Sequence, residues 1–558
     1  MSDLLNSASL VMIPSGYKED IVYSQIPTDG SGDLSFTRAS NGTRINSAGL
    51  VEVCPWNLVL YSEDLANGVW TTTSTTITAD NTTAPNGTLT ADKVEISSST
   101  NARVQQIINS NSITGGLPCT FSVYIKSVSG TGNVGIRSGQ TGLSSVFSYT
   151  NQWQRFEWTF NANALSEIMQ FCNNTLVGGA DSAPSFYAWG AQLNIGSTAK
   201  PYFPTTDRLN VPRLTYQNGG GGCPSLLLEK QSTNTFFYSE QFDNAYWVKE
   251  YVTISTNATN SPDGTQNAEK IQEDTSNASH VVGNNDVFAG GGQSVTFSIF
   301  LKASERSWAA LRLYDGSSSK FAWYNLSTGV LGSVDSGVTA SIENYGNGWF
   351  RCVMTITMSS VSITLPYVFV ATGNNVKDYT GTSGYGLFVW GAQHEASSYP
   401  TSYIPTTSAS ATRVADACSK TGISSLIGQT EGVLFCDFEF VTGAIDNPII
   451  IRDASYGTFI YINQQTSGNI WGQVQGVGNF NFSTPATNGR LKCAIAYKSG
   501  NSAFFVNGAQ VGSTNTTTFT PVTMTIFEFL TPALIQVNQA VLFKTRLTNA
   551  ELASLTTI

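Results

Sequence analysis

The chain of 558 residues is long enough for several domains, but only 12% of its residues are charged, about half of the roughly 25% found in an average soluble protein. A net charge of −10 without clustered Lys and Arg argues against nucleic-acid binding, and two histidines leave little material for His-dependent catalysis or metal binding. Hydrophobic residues make up 41%, so the polar remainder is mostly uncharged Ser, Thr, Asn, Gln and Gly, a mixture that favours strands and turns.

The spacing of the cysteines and the lack of a recognisable targeting signal predict a reducing compartment. The eight cysteines form no Cys-x-x-Cys pair, and a chain of this length needs no disulfides to build a core, so reduced core residues are expected. No Lys or Arg precedes the short apolar stretch at the N-terminus, and no apolar run reaches the roughly 18 residues of a membrane span. We therefore expect synthesis in a cytoplasm and no membrane insertion.

Residues 1–56 form the first predicted segment, an N-terminal arm that is too short for a core of its own. Such an arm has to pack on a partner or on the next domain. It contains the run Phe36-Thr-Arg-Ala-Ser-Asn-Gly-Thr-Arg44, and a looser echo, Ala411-Thr-Arg-Val-Ala-Asp416, precedes the last domain.

The segments 57–206 and 234–407 are two copies of one unit. Matched blocks occur in the same order in both: Asn57–Trp70 with Asn234–Trp247, Ala84–Val94 with Ser261–Ile271, Phe121–Lys126 with Phe297–Lys302, Phe186–Gln192 with Leu387–Gln393, and Tyr202–Thr206 with Tyr403–Thr407. The offset between the copies grows from 176 to 201 residues after Lys126. The second copy therefore carries about 25 extra residues, which we predict to be loop insertions.

Each copy shows the pattern of a β-sandwich. Apolar residues alternate with polar or small ones in Phe297–Lys302 and Trp349–Thr357, as in strands with one buried face. Pro-Asn-Gly at 85–87 and Pro-Asp-Gly at 262–264 are turn sequences. Short strands and turns over about 150 to 175 residues predict a two-sheet β-sandwich or jelly roll.

The connector 207–233 and the C-terminal segment 408–558 complete the chain. Four consecutive glycines, Gly219 to Gly222, predict a tight turn or flexible joint in the connector. The C-terminal segment contains further strand patterns and ends in Leu547-Thr-Asn-Ala-Glu-Leu552, where Thr548 and Glu551 have the spacing of a helix capping box.

These blocks resemble known modules. The order Asn-Leu-x-x-Tyr-Ser-Glu, Pro-Asp/Asn-Gly-Thr, Trp-Gly-Ala-Gln and Tyr-x-Pro-Thr-Thr resembles the carbohydrate-binding-module-like jelly rolls of bacteriophage virion proteins. The strands around Glu431–Phe440 and Ala503–Gly508 and the terminal helix resemble a concanavalin-A-like (laminin-G-like) lectin domain. The resemblance implies an all-β chain of two tandem jelly-roll β-sandwiches and a concanavalin-A-like β-sandwich, with a short N-terminal arm.

Aromatic residues are the candidate glycan-binding residues, because exposed rings stack on sugars. Trp308, Tyr314 and Trp323 occur in the second copy alone and are the better candidates. Trp70 and Trp247 occupy matched positions, and residues that both copies keep are more often core anchors than ligand platforms.

Several carboxylates are candidates for metal binding or catalysis. Calcium ligands are conceivable among Glu63, Asp64, Asp92, Asp243 and Glu269, but no Asp-x-Asp-x-Asp-Gly loop is present and turn residues are the favoured interpretation, so no metal or cofactor is expected.

Asp437 and Glu439 share one face of a strand, whose other face carries Leu434, Cys436, Phe438 and Phe440. Their separation of roughly 7 Å would suit an inverting glycosidase pair. The Glu-x-Asp-x-x-Glu run of the related glucanases is missing, and a solvated strand face is favoured over catalysis.

The leading hypothesis is a structural and adhesive phage virion protein: a head fibre, head decoration or tail fibre that is not an enzyme. It would be made in the bacterial host cytoplasm and displayed on the virion surface. The arm would bind capsid or tail proteins, the distal modules would bind glycans, and a homo-oligomer is expected, with a trimer favoured over a dimer. The alternatives are a glycan depolymerase acting through Asp437 and Glu439, and an architectural virion component without a ligand.

Overall fold

A computed structural model describes residues 2–109, 118–162, 166–440, 449–465, 468–476, 479–485, 489–520, 522–530 and 534–558. The described chain is almost entirely antiparallel β-structure, with two short helices, which confirms the all-β fold class. It divides into two compact units: one comprises Val53–Leu209 and Thr265–Asn267, and the other comprises Met1–Glu52, Asn210–Gly264 and Ala268–Ile558.

The N-terminal arm holds one helix and six short strands. They are α1 (Ser2–Asn6), β1 (Leu10–Met12), β2 (Tyr17–Lys18), β3 (Ile21–Val22), β4 (Leu34–Thr37), β5 (Gly42–Ile45) and β6 (Val51–Cys54).

Jelly roll 1 is a sandwich of two five-stranded sheets, ordered β14-β11-β16-β9-β8 and β13-β12-β15-β10-β7. Its strands are β7 (Trp70–Thr73), β8 (Thr75–Thr82), β9 (Ala91–Ile96), β10 (Arg103–Asn109), β11 (Pro118–Ser127), β12 (Gly132–Ser138), β13 (Ser144–Tyr149), β14 (Gln154–Asn161), β15 (Ser166–Cys172) and β16 (Ser185–Ile195). Alternate residues of both sheets, among them Phe121, Val134 and Phe171, fill the core between them.

The connector adds three strands, β17 (Arg213–Thr215), β18 (Ser225–Glu229) and β19 (Ser232–Asn234). Jelly roll 2 follows with β20 (Val248–Glu250), β21 (Val252–Thr259), β22 (Ala268–Glu273), β23 (Asn277–Gly283), β24 (Phe288–Ala289), β25 (Ser294–Ala303), β26 (Trp308–Tyr314), β27 (Ser319–Asn325), β28 (Val330–Val334), β29 (Val338–Asn344), β30 (Trp349–Thr357), β31 (Ser362–Ile363), β32 (Tyr367–Ala371), β33 (Asp378–Thr380) and β34 (Gly386–Glu395).

About half of the extra residues of jelly roll 2 form strands, whereas the repeat offset predicts loop insertions. Its two sheets, β20-β23-β32-β26-β27-β28 and β21-β22-β34-β25-β30-β29, repeat the strand order of jelly roll 1 and add β28 to one edge and β29 to another. Between the aligned pairs Phe121/Phe297 and Arg155/Arg351 the offset rises from 176 to 196, which places most of the insertion at these two strands. Sheet edges accept an added strand because their backbone groups are unpaired.

The C-terminal sandwich is built from β35 (Ala411–Arg413), β36 (Ala417–Thr421), β37 (Glu431–Phe440), β38 (Ile449–Arg452), β39 (Phe459–Gln464), β40 (Asn469–Gln475), β41 (Phe480–Pro485), β42 (Gly489–Lys498), β43 (Ala503–Val506), β44 (Ala509–Gln510), β45 (Ile526–Phe529), β46 (Leu534–Phe543) and α2 (Asn549–Thr556). Thr548 and Glu551 cap α2 reciprocally, as predicted.

Four strands of the arm, β1 to β4, and two strands of the connector, β17 and β18, belong to the sheets of this C-terminal sandwich. One sheet is ordered β17-β18-β46-β37-β42-β43-β44, with β1 also paired to β46, and the other is β2-β3-β4-β36-β45-β38-β39-β40-β41. Leu10, Leu34 and Phe36 of the arm are buried in the same core as the C-terminal strands. The separate arm of the sequence interpretation is thus part of the last domain, because its apolar strands find unpaired sheet edges there. Contact with capsid or tail proteins through this segment stays a prediction.

Five buried charged side chains join these segments: Arg38, Arg213, Glu229, Arg413 and Asp416. Asp416 accepts from Arg38 Nη1 at 2.9 Å and from Arg213 Nη2 at 2.6 Å. Glu229 accepts from Arg213 Nη1 at 2.7 Å, and Arg413 lies 3.3 Å away. Burial alone would raise the pKa of Glu229, but Arg413 and Arg213 outweigh it and lower the pKa to about 2. Two of these arginines are the Thr-Arg echo of the sequence, at positions 38 and 413.

Among the described residues no cysteine forms a disulfide: seven are buried, as predicted for core residues, and Cys223 is exposed. No helix among the described ranges is long and apolar enough to cross a membrane.

Candidate functional site

The residues that both copies keep form a structural network. Asn234 Nδ2 donates to the carbonyls of Ala392 (3.0 Å) and Ile404 (2.9 Å), and Asn57 makes the two matching bonds in jelly roll 1. These bonds tie the first residue of each unit to its final strand and to the segment that follows. The matched blocks therefore reflect how the unit closes, so a ligand site is better sought among residues that differ between the copies.

Trp70 and Trp247 belong to the same network. They are 4% and 3% exposed, and their Nε1 groups donate to the carbonyls of Tyr61 and Tyr238 at 3.2 and 3.0 Å. Both lie in the cores of their jelly rolls. This placement leaves neither ring a free face for a sugar, and it corrects their inclusion among the glycan-binding candidates.

The three aromatic residues found in one copy alone come together on one face of a sheet. Trp308 and Tyr314 lie on β26, Trp323 lies on the neighbouring β27, and Trp323 is in line with Ala310, two residues after Trp308. The alternate residues of β26 point into the core. Trp308 and Tyr314 are half-buried, whereas Trp323 is only 5% exposed and supports its neighbours more than it offers a stacking surface.

The same face carries further aromatic rings that the sequence analysis missed. Phe321 is stacked beside Trp323, with ring centroids 6.4 Å apart, and Tyr367 and Phe369 lie on the adjacent β32. The guanidinium of Arg312 is 4.1 Å from the ring centroid of Tyr367. We define the aromatic face as Trp308, Arg312, Tyr314, Phe321, Trp323, Tyr367 and Phe369. Their period-two spacing, as in Phe321-Ala-Trp323, is the sequence pattern from which this face could have been predicted.

Jelly roll 1 has a polar network at the equivalent face. There β12, β15 and β10 take the places of β26, β32 and β23 in the sheet. Arg137 Nη1 donates to Gln170 Oε1 at 2.8 Å, and Gln170 Nε2 donates to Gln105 Oε1 at 2.6 Å. Arg103 Nε also donates to Gln105, at 2.8 Å. The two copies thus keep an arginine on this face, at 137 and 312, but only the second surrounds it with aromatic rings.

Of the two candidate catalytic carboxylates, Asp437 is held by an arginine. Asp437 is buried and accepts from Arg490 Nε and Nη2 at 2.8 and 2.6 Å and from Asn538 Nδ2 at 3.0 Å. Burial raises the pKa of Glu439, and Arg490 acts against that rise. Leu434, Cys436 and Phe438 pack in the main core, as the strand pattern predicts, while the side chain of Phe440 lies outside the described residues. The face is covered, not solvated, and Asp437 is already fully engaged.

Two of the candidate calcium ligands, Asp92 and Glu269, bind backbone amides of their own jelly rolls. Asp92 accepts from the amides of Leu65 (2.6 Å) and Asp80 (3.0 Å), and Glu269 accepts from those of Phe242 (2.6 Å) and Asp243 (3.0 Å). Within the described ranges no three His, Cys, Asp or Glu side chains gather as a metal site would require.

Glu240 is expected to make the free energy of unfolding depend on pH. It hydrogen-bonds the hydroxyl of Tyr403 at 3.0 Å, and burial, followed by the charge of Asp263, raises its pKa to about 8. The folded state binds the Glu240 proton more tightly than the unfolded state does. The contribution of this proton to the free energy of unfolding is therefore complete below about pH 4.5 and is lost as the pH rises towards 8. We expect Glu240→Gln to reduce the fall in melting temperature between pH 6 and pH 9.

The control is Glu305→Gln. Hydrogen bonds from Lys270 and Ser304 outweigh burial and lower the pKa of Glu305 to about 2, so its titration lies below this pH range. Thermal unfolding at pH 6 and pH 9 measures both variants. An unchanged pH slope in Glu240→Gln would contradict the assignment.

No family model and no curated protein matches this chain. Among solved structures, the match with the CBM22-1-CBM22-2 tandem domain from Paenibacillus barcinonensis Xyn10C covers 61% of this chain and 98% of that domain, at 10% identity and a TM-score of 0.20. The LG1-3 region of the laminin alpha2 chain covers 82% and 97%, at 10% identity and a TM-score of 0.17. Trypanosoma rangeli sialidase covers 98% and 93%, at 10% identity and a TM-score of 0.20. At such TM-scores these similarities carry no argument, and the β-sandwich fold follows from the strands themselves.

Proposed function

We propose that this protein is a non-enzymatic, adhesive component of a bacteriophage virion, such as a head fibre, head decoration or tail fibre, and that its aromatic face binds glycans. The sequence blocks that resemble phage jelly-roll modules support the virion assignment. The same assignment implies synthesis in the bacterial host, display on the virion surface and a homo-oligomer, with a trimer favoured by closed symmetry.

The observation that carries the glycan proposal is the contrast between the two copies. At the same face of the same sheet, jelly roll 1 satisfies its polar groups internally, whereas jelly roll 2 presents half-buried rings on the strands next to Arg312, whose guanidinium packs on the buried ring of Tyr367. Rings stack on the apolar faces of sugars, and the guanidinium donates to their hydroxyls. The rings lie outside the main sandwich core, in a smaller hydrophobic cluster that buries Trp323, Tyr367 and Phe369. The half-buried rings of Trp308, Tyr314 and Phe321 are therefore the ones that a sugar would contact.

We expect Trp308→Ala to weaken glycan binding by at least about tenfold, equivalent to about 1.4 kcal/mol. The measurement is binding of the full chain to an array of bacterial surface and mucin glycans, followed by titration of the strongest ligand. Asn133→Ala, on the corresponding strand of jelly roll 1, is the matched control and should leave affinity unchanged.

If Trp308→Ala keeps its melting temperature and binds as tightly as the unchanged protein, the aromatic face is not the glycan site. Absence of any glycan binding would favour the architectural alternative. The virion assignment is tested separately by mass spectrometry of gradient-purified particles, and absence of the protein from them would overturn it. New reducing ends released from a bacterial capsular polysaccharide, and lost in Asp437→Asn, would instead favour the depolymerase alternative.

A further inference from the structure

A cavity of about 580 Å³ lies against the other sheet of jelly roll 2, away from the aromatic face. Its floor is the outward face of β29 and β30, including Ser341, Glu343 and Arg351. The arm contributes Arg44 to the opposite wall, and the connector contributes Tyr216. The volume falls within the roughly 300–1,000 Å³ typical of small-molecule sites.

Two buried polar groups at this cavity lack a protein partner. The hydroxyl of Tyr399 and Nε of Arg351 make no hydrogen bond within the described part of the chain, although both residues are 4% exposed. The other end of the Arg351 guanidinium is fixed, because Nη2 donates to Ser298 Oγ at 2.9 Å. A buried polar group that makes no hydrogen bond is destabilising, because it has lost its water without gaining a partner. Both groups therefore favour a ligand with hydroxyl or carbonyl groups.

The cavity is nearly balanced in charge. Glu343 and Arg351 are direct cross-strand neighbours on the floor. Arg44 is paired with Glu52 at 2.9 Å, and Glu229 is held within the buried arginine cluster. These opposite charges compensate one another, so the cavity favours an uncharged ligand over a strongly anionic or cationic one.

Aromatic rings complete the lining. Phe300 packs edge-on against Tyr345, with ring centroids 4.8 Å apart, and also contacts Tyr403. Such rings match the apolar patches of a sugar, while Thr and Ser hydroxyls on the floor match its polar edge.

Some of the features that shape this cavity occur in jelly roll 2 and have no counterpart in jelly roll 1. β29, which carries Ser341 and Glu343, is the added edge strand, and Tyr345 lies in the same insertion. Tyr399 corresponds to Thr198 in the first copy, at the offset of 201. Arg351 matches Arg155 of jelly roll 1, whose Nε also makes no hydrogen bond within the described residues, so the Tyr399 hydroxyl and the inserted strand are what set the second copy apart. An insertion that builds a polar, aromatic cavity with an unpartnered hydroxyl at it is difficult to explain by packing needs.

We propose that this cavity is a second binding site, distinct from the aromatic face, and that it takes a short uncharged saccharide of one or two sugar units. The hydroxyl of Tyr399 and Nε of Arg351 hydrogen-bond its hydroxyl groups, and the ring of Tyr345 packs against its apolar side.

Calorimetric titration of the full chain with maltose, cellobiose, lactose and N,N′-diacetylchitobiose tests the proposal. We expect saturable binding of at least one of the four, weakened about tenfold in Tyr399→Phe, which removes only the hydroxyl. Ser341→Trp, which fills the floor of the cavity, should abolish it. Trp308→Ala on the aromatic face should leave this binding unchanged, so that failure at one site is distinguished from failure at the other.

Binding that survives in Ser341→Trp, with the melting temperature maintained, would overturn the assignment of the cavity. Absence of heat with all four sugars at 50 mM would overturn the ligand class. Tyr314→Phe, which removes a hydroxyl from the aromatic face, is the matched control for Tyr399→Phe.

Discussion

Asp416→Asn is expected to lower the free energy of unfolding by about 3–5 kcal/mol, because it leaves three buried arginines with one carboxylate. Asp416 accepts from Arg38 and Arg213 through different oxygens and also from the backbone amide of Glu229 at 2.8 Å. The asparagine has the same shape but turns one acceptor into a donor that faces a guanidinium. The loss is therefore one of charge and hydrogen bonding, not of packing.

Two further variants provide a scale for the loss of stability in Asp416→Asn. Arg213→Met removes one cation but leaves two arginines facing two carboxylates, so we expect a smaller loss than in Asp416→Asn. Lys498→Met breaks the partly exposed pair with Glu431 and should change stability by less than about 1 kcal/mol. Urea unfolding followed by tryptophan fluorescence and by circular dichroism measures all three. Equal losses in Asp416→Asn and Lys498→Met would show that the buried cluster contributes no more than a surface pair.

The sequence predicted the two jelly rolls because the residues that close each unit occur in both copies. Asn234, Ser239 and Tyr403 recur in order, and each bonds the backbone or a neighbour within the same unit. Such contacts leave matched blocks in the same order in both copies, and alternating apolar residues between the blocks indicate the strands.

The sequence could not predict where the arm packs. Thr-Arg recurs at positions 38 and 413, but nothing in the recurrence says that Arg38 binds Asp416, which is 378 residues away. Strand pairing across such a distance depends on which sheet edges remain open after the domains form, and hydrophobic period alone does not encode that.

The candidate site was predictable in part. Trp308 and Tyr314 stood out because one copy has them and the other does not, and the fold places them on one face. Tyr367 and Phe369 were missed because they lie within a fully buried strand, where an outward ring looks like a core residue in the sequence. The cavity is lined by three separate segments of the chain, so the sequence around Tyr399 does not identify this residue as part of a binding site.

Phe36→Ala is expected to lower the free energy of unfolding by about 3–5 kcal/mol, since it removes a fully buried ring from the core of the C-terminal sandwich. Phe36 lies on β4 in register with Cys418 of β36. Phe288→Ala, at a ring that is 68% exposed, is the matched control and should change stability by no more than about 0.5 kcal/mol.

This comparison separates two roles for the arm. If residues 1–56 served only to attach the protein to a particle, Phe36→Ala would unfold at the same urea concentration as the unchanged protein and would be deficient in incorporation alone. If the arm is part of the sandwich, Phe36→Ala shifts the unfolding midpoint before any partner is present, because Leu10, Leu34 and Phe36 fill a core that the C-terminal strands leave open. Attachment would then depend on the whole C-terminal sandwich, and a truncation that removes the arm would unfold the domain instead of merely detaching it.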